Sequence, residues 1–575
     1  MTSHTKPPRS PAAAALSSAR GAFLATAGFS GAINILMLSG SLFMLQVYDR
    51  VLASRSVPTL LALVVLIVIL YSFQGALELL RSRIFARIGR SVDGRLSDCA
   101  FDAYLERGAP GGGKAMPHSP FRDIEQLRSF LSSGGPSALF DLPWMPLYVA
   151  LLFGLHAWLG YIGLAGIVTL STLTFLTDRL SAEHQCRATL KTNEATVLAE
   201  ASRRNAEAVL PLGMAGHLMM RWRNVAQEAA VAQMAGSDVT SLFASLSRFA
   251  RMSLQSLVLA LGAYLVIAGE ATGGVMIASS ILLGRALAPV ELAIANWKGF
   301  IGARQSYGRL QADLRDPAPS SMVALPAPSK RLDIDKLTVA ADGLAEPILR
   351  EVSFALKAGE ALGVIGPSGS GKSTLVRSII GIWAPARGTV RLDGATLDQW
   401  NRAQSGRFLG YLPQQIELLA GTVAQNIARF DPMATSDEVL RAAQLAGVDD
   451  LVRRLPQGFD TQVGEGGQRL SAGQRQRIAL ARALFRDPFL VVMDEPNSNL
   501  DSAGDEALSR AIASISARGG IAIVVAHRPS ALGEVSLILT LGEGRVQAFG
   551  PKDEVLRQVL VPAQGAKPKA VQAAE

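Results

Sequence analysis

The chain has 575 residues, 49% of them apolar and 18% charged, with a mean hydropathy of +0.27. That balance excludes an all-soluble enzyme of this size and a disordered or fibrous chain, so part of the chain sits in lipid; the length leaves room for three or four domains at about 150 residues each. The net charge of +9 decides nothing until the charges are placed, and the two cysteines, Cys99 and Cys186, exclude a disulfide scaffold and give no zinc-site spacing.

Residues 1–21, rich in Pro, Ala and Ser with Lys6, Arg9 and Arg20, read as a cytoplasmic tail without a signal-cleavage site. Apolar stretches long enough to cross about 30 Å of hydrocarbon at 1.5 Å per residue follow at 22–46, 57–80, 138–156, 158–177, 249–269 and 272–293. They predict six transmembrane helices in a membrane domain over 22–315. Nine Lys/Arg lie between Arg81 and Ser137 and eight between Asp178 and Arg248, whereas the short connections on the other side carry only Arg50 and Arg55. Positive residues favour the cytoplasm, so both termini are expected there. Basic residues that flank apolar runs point to a lipid bilayer, and no nucleic acid is expected as a partner.

Both long loops space apolar residues near the helical period, Ile124, Leu127, Phe130 and Leu131 in one and Leu190, Val197, Leu198 and Ala201 in the other. Helical extensions into the cytoplasm are expected there, with a Gly-rich turn over 108–120. Arg285, about 20 Å into the sixth span, is the leading ionisable candidate for a transport path; snorkelling to the inner interface is the competing reading. Asp141 and Glu291 read as interfacial.

Pro317, Pro319, Pro326 and Pro328 mark a linker over 316–331. Strand-like runs at 361–365, 389–392, 490–493 and 521–525, alternating with helical segments, then predict an α/β domain over 332–561, and 562–575 reads as a disordered tail. The expected fold is a polytopic α-helical membrane domain fused to an α/β P-loop NTPase domain.

The run Gly366-Pro367-Ser368-Gly369-Ser370-Gly371-Lys372-Ser373-Thr374 follows one strand-like stretch and opens a helical one. Glycines let consecutive N–H groups close around phosphate oxygens, Lys372 reaches the β/γ-phosphates and Ser373 offers its hydroxyl to Mg²⁺. Phe489–Met493 is a wholly apolar strand ending in Asp494 and Glu495, which delivers both acids to the ligand edge of a parallel sheet. Asp494 is the candidate for the Mg²⁺ shell and Glu495 for polarising the attacking water. His527 stands at the end of another such strand, within reach of a γ-phosphate.

Leu470-Ser471-Ala472-Gly473-Gln474 resembles the signature motif of ATP-binding-cassette proteins, and Gly410-Tyr-Leu-Pro-Gln414 resembles their Q-loop. Asn499-Leu-Asp501 is similar to the D-loop and His527 to the switch histidine. The resemblance implies that Ser471, Gly473 and Gln474, with Asp501, complete the nucleotide site held by a partner's phosphate loop, and that Gln414 contacts Mg²⁺ and senses the membrane domain. One cassette and six spans are half of such a transporter, so a homodimer with two ATP sites is implied. Candidates for the contacting helices lie near 121–131 and 205–216, the second interrupted by Pro211.

Met44–Leu52 with Ser54–Ser56, Phe140–Pro146 and Ile281–Val290 resemble the type I protein-secretion exporters, in the branch without a peptidase-like N-terminal domain. The resemblance implies a bacterial inner-membrane protein that exports unfolded proteins bearing a C-terminal signal. Its implied partners are a periplasmic adaptor and an outer-membrane tunnel protein. Export of a glycan, lipid or short peptide by the same engine is the second reading, and a cassette ATPase outside transport the third. The chain departs from the family in having no aromatic residue between Tyr307 and Phe354 to stack on adenine, where only aliphatics such as Val339 are offered.

Overall fold

Helix ends in this chain follow its turn chemistry. His156 separates the third and fourth spans in extended backbone, and Thr272 caps the start of the sixth by accepting the Val275 N–H at 3.3 Å. The structure is a computed structural model and describes residues 10–108, 119–314, 325–340, 346–400, 402–526 and 532–560. Its contacts divide the chain into a membrane unit and an α/β unit, taken in turn here.

In the membrane unit, six helical stretches among the described residues are long and apolar enough to span a bilayer: Arg20–Ser54, Val57–Gly108, Gly135–Leu155, Ala157–Arg204, Ala215–Ile267 and Gly273–Ala295. The second, fourth and fifth continue well past their apolar runs, to 52, 48 and 53 residues, or roughly 70–80 Å each. These are the helical extensions expected from the loop periodicity. The stretch 205–216 breaks as Pro211 requires: a single turn at Ala206–Val209, then turns, then a new helix from Ala215. The Gly-rich turn expected at 108–120 lies mostly outside the described residues.

One expectation for this unit is corrected. Residues 11–18 are not a plain tail. Ser10 caps an alanine-rich helix there, and Ala12, Ala15 and Ala19 pack against Phe85, Leu96 and Leu310. The helix Pro120–Ser132 buries Ile124, Leu127 and Leu131 within the membrane unit, against Trp297–Asp313, where Asp123 pairs with Arg309. Asp141 is 9% exposed and accepts from Arg81 and Asn34, and Arg81 also donates to Ser30. Glu291 pairs with Arg251 of the fifth span's helix.

The α/β unit is built on two sheets. Strands β1 (Arg331–Val339), β2 (Leu349–Lys357), β4 (Arg387–Leu392) and β5 (Ala395–Thr396) form an antiparallel sheet in the order β2-β1-β4-β5. Strands β3 (Ala361–Ile365), β6 (Leu409–Leu412), β7 (Leu490–Asp494), β8 (Ile521–Val525), β9 (Leu537–Gly542) and β10 (Arg545–Pro551) form the second, in the order β10-β9-β3-β8-β7-β6. Its neighbours from β9 to β6 are parallel. β7 and β8 are buried along their whole length, as strands covered on both faces must be. One apolar layer holds Leu375, Ile379, Leu490 and Ile523, and the opposite layer holds Ile478, Leu484, Val491 and Val524.

Candidate active site

The loop after β3 is shaped by glycines that no other residue replaces. Gly371 has φ +98°, where side chains are strained, and a Cβ on it would stand 2.8 Å from Leu349. At Gly366, with φ +155°, a Cβ would meet the Leu541 carbonyl oxygen at 2.2 Å. The helix Lys372–Ile379 starts directly behind this loop, so its free N–H groups and dipole face whatever the loop encloses. The Lys372 ammonium donates to the Gly366 and Pro367 carbonyls, both at 2.8 Å. Burial lowers its pKa, while Glu495 and Asp494 oppose that shift. Gly366 to Thr374 thus span the turn between β3 and the first residues of this helix, and among the described residues the buried Ser370 hydroxyl has no hydrogen-bond partner.

Asp494 ends β7 at 1% exposure, and among the described residues neither carboxylate oxygen has a hydrogen-bond partner. Burial pushes its carboxyl above the ordinary range; Ser373 stands close enough to pull it back down, though outside hydrogen-bond geometry. An uncompensated buried carboxylate is costly, and a serine hydroxyl beside it makes the oxygen donor set that a hard divalent cation takes. The residues present therefore fit a Mg²⁺ ion. Glu495 follows in left-handed backbone, φ +53°, half-buried, its N–H bonded to the Val525 carbonyl at 3.1 Å. Gln414 is exposed two residues past β6. His527 lies outside the described residues, immediately after Ala526.

Ser471 and Gln474 form a capping box at the start of the helix Ala472–Leu484. The Ser471 hydroxyl accepts the Gln474 backbone N–H at 3.3 Å, and the Gln474 side-chain Oε1 accepts the Ser471 N–H at 2.9 Å. Gln474 thus spends its side-chain oxygen on the local fold. Asp501 caps the helix Ser502–Ala517 through the Gly504 N–H at 2.9 Å.

Two residues that sequence reasoning missed join these parts. Gln476, 1% exposed, donates its amide to the Pro496 carbonyl and accepts the Asn499 N–H at 3.1 Å. Arg477 donates to both Asp501 oxygens, at 2.8 and 2.9 Å. The signal for Gln476 was in the sequence: it shares a helical face with the buried Ala479, Leu480 and Ala483. Arg429 is a third such residue, its guanidinium donating to the Arg482, Ala483, Gly406 and Leu409 carbonyls. Burial brings its pKa down to about 10. Val339 is fully buried in β1 and offers no face to a base.

The family description "ABC transporter" matches residues 349–498, and "ABC transporter transmembrane region" matches 117–288. The type I secretion system ATP-binding protein PrsD of Rhizobium meliloti (strain 1021) is 51% identical over 96% of this chain and 95% of its own. The chain belongs to the ABC transporters of type I secretion systems. The toxin RTX-I translocation ATP-binding protein of Actinobacillus pleuropneumoniae is 30% identical over 93% of this chain and 76% of its own. The alpha-hemolysin translocation ATP-binding protein HlyB of Escherichia coli is 28% identical over the same shares. The structure of a bacterial Atm1-family ABC exporter shares the fold, with a TM-score of 0.80 at 22% identity over 94% of this chain and 97% of that one. The transporter is a multi-pass membrane protein, and ATP hydrolysis coupled to transport is its activity.

Proposed function

We propose that two copies of this chain form the ATP-driven pump of a type I secretion system, exporting unfolded proteins that carry a C-terminal signal across the bacterial inner membrane. The observation that carries this reading is the end-to-end match to a type I secretion ATP-binding protein. Both termini and the ATPase unit face the cytoplasm in this reading, on the strength of the basic loops. A periplasmic adaptor and an outer-membrane tunnel protein continue the path outside. The fourth and fifth span helices support a second copy, because Leu190, Val231 and Met234 stand 61–65% exposed on the single chain.

In the site, the loop N–H groups of residues 366–374 and the Lys372 ammonium hold the ATP phosphates. Ser373, Asp494 and Gln414 would hold Mg²⁺, which would supply positive charge to offset that of the phosphates. Glu495 orients the attacking water and accepts its proton, and His527 contacts the γ-phosphate. Ser471 and Gly473, steadied by the Gln474 cap, close the partner's ATP from the far side, with Asp501 in the D-loop beside them. Closing draws the cassettes together and hydrolysis releases them, which moves the helical extensions.

The test is ATP hydrolysis by the purified protein with added C-terminal signal peptides from type I substrates. Such peptides change the rate, Glu495→Gln traps ATP without turnover, and Lys372→Ala weakens nucleotide binding. Full hydrolysis by both variants would remove the site assignment; indifference to every signal peptide would remove the substrate class.

A further inference from the structure

Beyond the apolar runs of the spans, the membrane unit has an open cavity of about 660 Å³ between the helices of the fourth and fifth spans and the helices Pro120–Ser132 and Trp297–Asp313. Cavities that take small organic ligands are lined mostly by apolar groups with a few placed polar ones. Beside its apolar surface, this one brings together five carboxamides, from Gln126, Asn193, Gln185, Gln233 and Gln305. Two are occupied: Arg122 donates to Asn193 and Ser306 bonds Gln126, each at 3.0 Å. The threonine hydroxyls at 189, 192, 196 and 240 are spent on carbonyls of their own helices. Among the described residues, Gln185, Gln233 and Gln305 have no side-chain hydrogen-bond partner, and they come from three different helices.

A carboxamide carries one N–H donor group and one carbonyl acceptor, the same pair that each peptide unit of an extended chain presents. Three carboxamides without a protein partner around one cavity therefore match the donor and acceptor groups of a polypeptide backbone. The charged groups of the lining are mixed in sign with an excess of cations: Arg122, Arg204 and Lys298 stand with Glu200, and Asp123 is already matched by Arg309. We infer that Gln185, Gln233 and Gln305 form a main-chain recognition site for an unfolded segment of the exported protein. This rests on the export reading above and adds to it how one conduit accepts segments of different sequence.

The test uses the full-length protein in lipid nanodiscs and uncharged 12-residue fluorescent peptides: one sequence, two scrambled orders of it, and a backbone N-methylated copy. The three unmethylated peptides are expected to bind within about threefold of one another. The methylated copy, and the triple variant Gln185→Leu, Gln233→Leu, Gln305→Leu, each lose at least about tenfold, the sum of several modest hydrogen bonds. The near-isosteric triple change to Glu removes the same donors and guards against misfolding, and retained ATP binding certifies both variants. Equal binding of the methylated peptide, or undiminished affinity in folded variants, overturns the inference and leaves the export reading standing. A Gln233→Cys protein that cross-links to its second copy at rest makes the cavity an interface and overturns it too. If neither these peptides nor a signal-bearing unfolded protein binds or alters hydrolysis, the export reading itself falls.

Discussion

Arg81 and Asp141 meet inside the membrane unit, the guanidinium donating to both carboxylate oxygens at 3.0 and 3.2 Å with each side chain about one-tenth exposed. Asn34 donates to the same carboxylate at 2.9 Å, and the Tyr148 hydroxyl donates to Asn34 at 2.9 Å, so the first three spans share one buried polar cluster. Removing one member of a buried pair leaves the other charge uncompensated, at about 3–5 kcal/mol, whereas replacing both by apolar groups is often neutral. Asp141→Ala is therefore expected to unfold at a markedly lower temperature in detergent, and Arg81→Met with Asp141→Leu to recover most of the loss. A double variant no better than the single one would show that the cluster does more than neutralise charge.

The Asp494 carboxylate gives an opposite sign for stability and activity. Its buried, unpartnered charge costs folding energy when no cation is present, and an amide carries no charge to desolvate. Asp494→Asn is expected to raise the melting temperature of the nucleotide-free protein, by roughly 2–4 °C per kcal/mol relieved, while abolishing Mg²⁺-dependent hydrolysis. Differential scanning fluorimetry and a phosphate-release assay read the two effects. A lowered melting temperature would mean that the carboxylate is satisfied by some other group.

Asp49 and Gly274 tie the first span to the sixth. The Asp49 carboxylate accepts the Gly274 N–H at 2.9 Å and the Thr272 hydroxyl at 2.7 Å, and a Cβ on Gly274 would stand 2.6 Å from that carboxylate. Gly274→Ala is expected to cost about 1–3 kcal/mol by crowding, and Asp49→Ala about 0.5–2 kcal/mol as a lost cap. Because the crowding needs Asp49, the double variant should cost less than the two singles together. Thermal unfolding of the four proteins measures it, and strict additivity would contradict the contact.

Legibility in the sequence followed burial. Strands buried on both faces, such as β7 and β8, stand out as unbroken apolar runs, and all six spans do the same. β2 and β10 are half-buried, with charged or polar residues between the core positions, so no run of apolar residues marks them. Motif residues of the phosphate loop were legible because backbone geometry demands particular residue types there. Arg81 was legible only as a charge at the end of a span, since its partner Asp141 lies 60 residues away.

Adenine recognition offers a further check. Val339 is fully buried, and no aromatic residue stands between Tyr307 and Phe354. A missing stack worth about 0.5–1.5 kcal/mol leaves base choice loose, so the ratio of kcat/KM for ATP over GTP is expected to stay below about tenfold. A preference of a hundredfold would require another base-reading group.

Arg477 and Gln476 are neighbours on one helix, yet their loss should read out differently. Arg477 is 16% exposed but its partner Asp501 is 62% exposed, so the pair contributes less than about 1 kcal/mol to folding. Its work is positional, holding Asp501 against the helix that begins at Ala472. Arg477→Ala should leave the melting temperature almost unchanged and lower ATP turnover several-fold. Gln476→Leu instead strands the Pro496 carbonyl and the Asn499 N–H in a buried place, a cost of about 1–3 kcal/mol, and should lower melting temperature and turnover together. Paired melting and hydrolysis measurements on both variants decide the point: an Arg477→Ala protein that melts early, or a Gln476→Leu protein that keeps full stability, would break the link between the signature helix and the segment after β7.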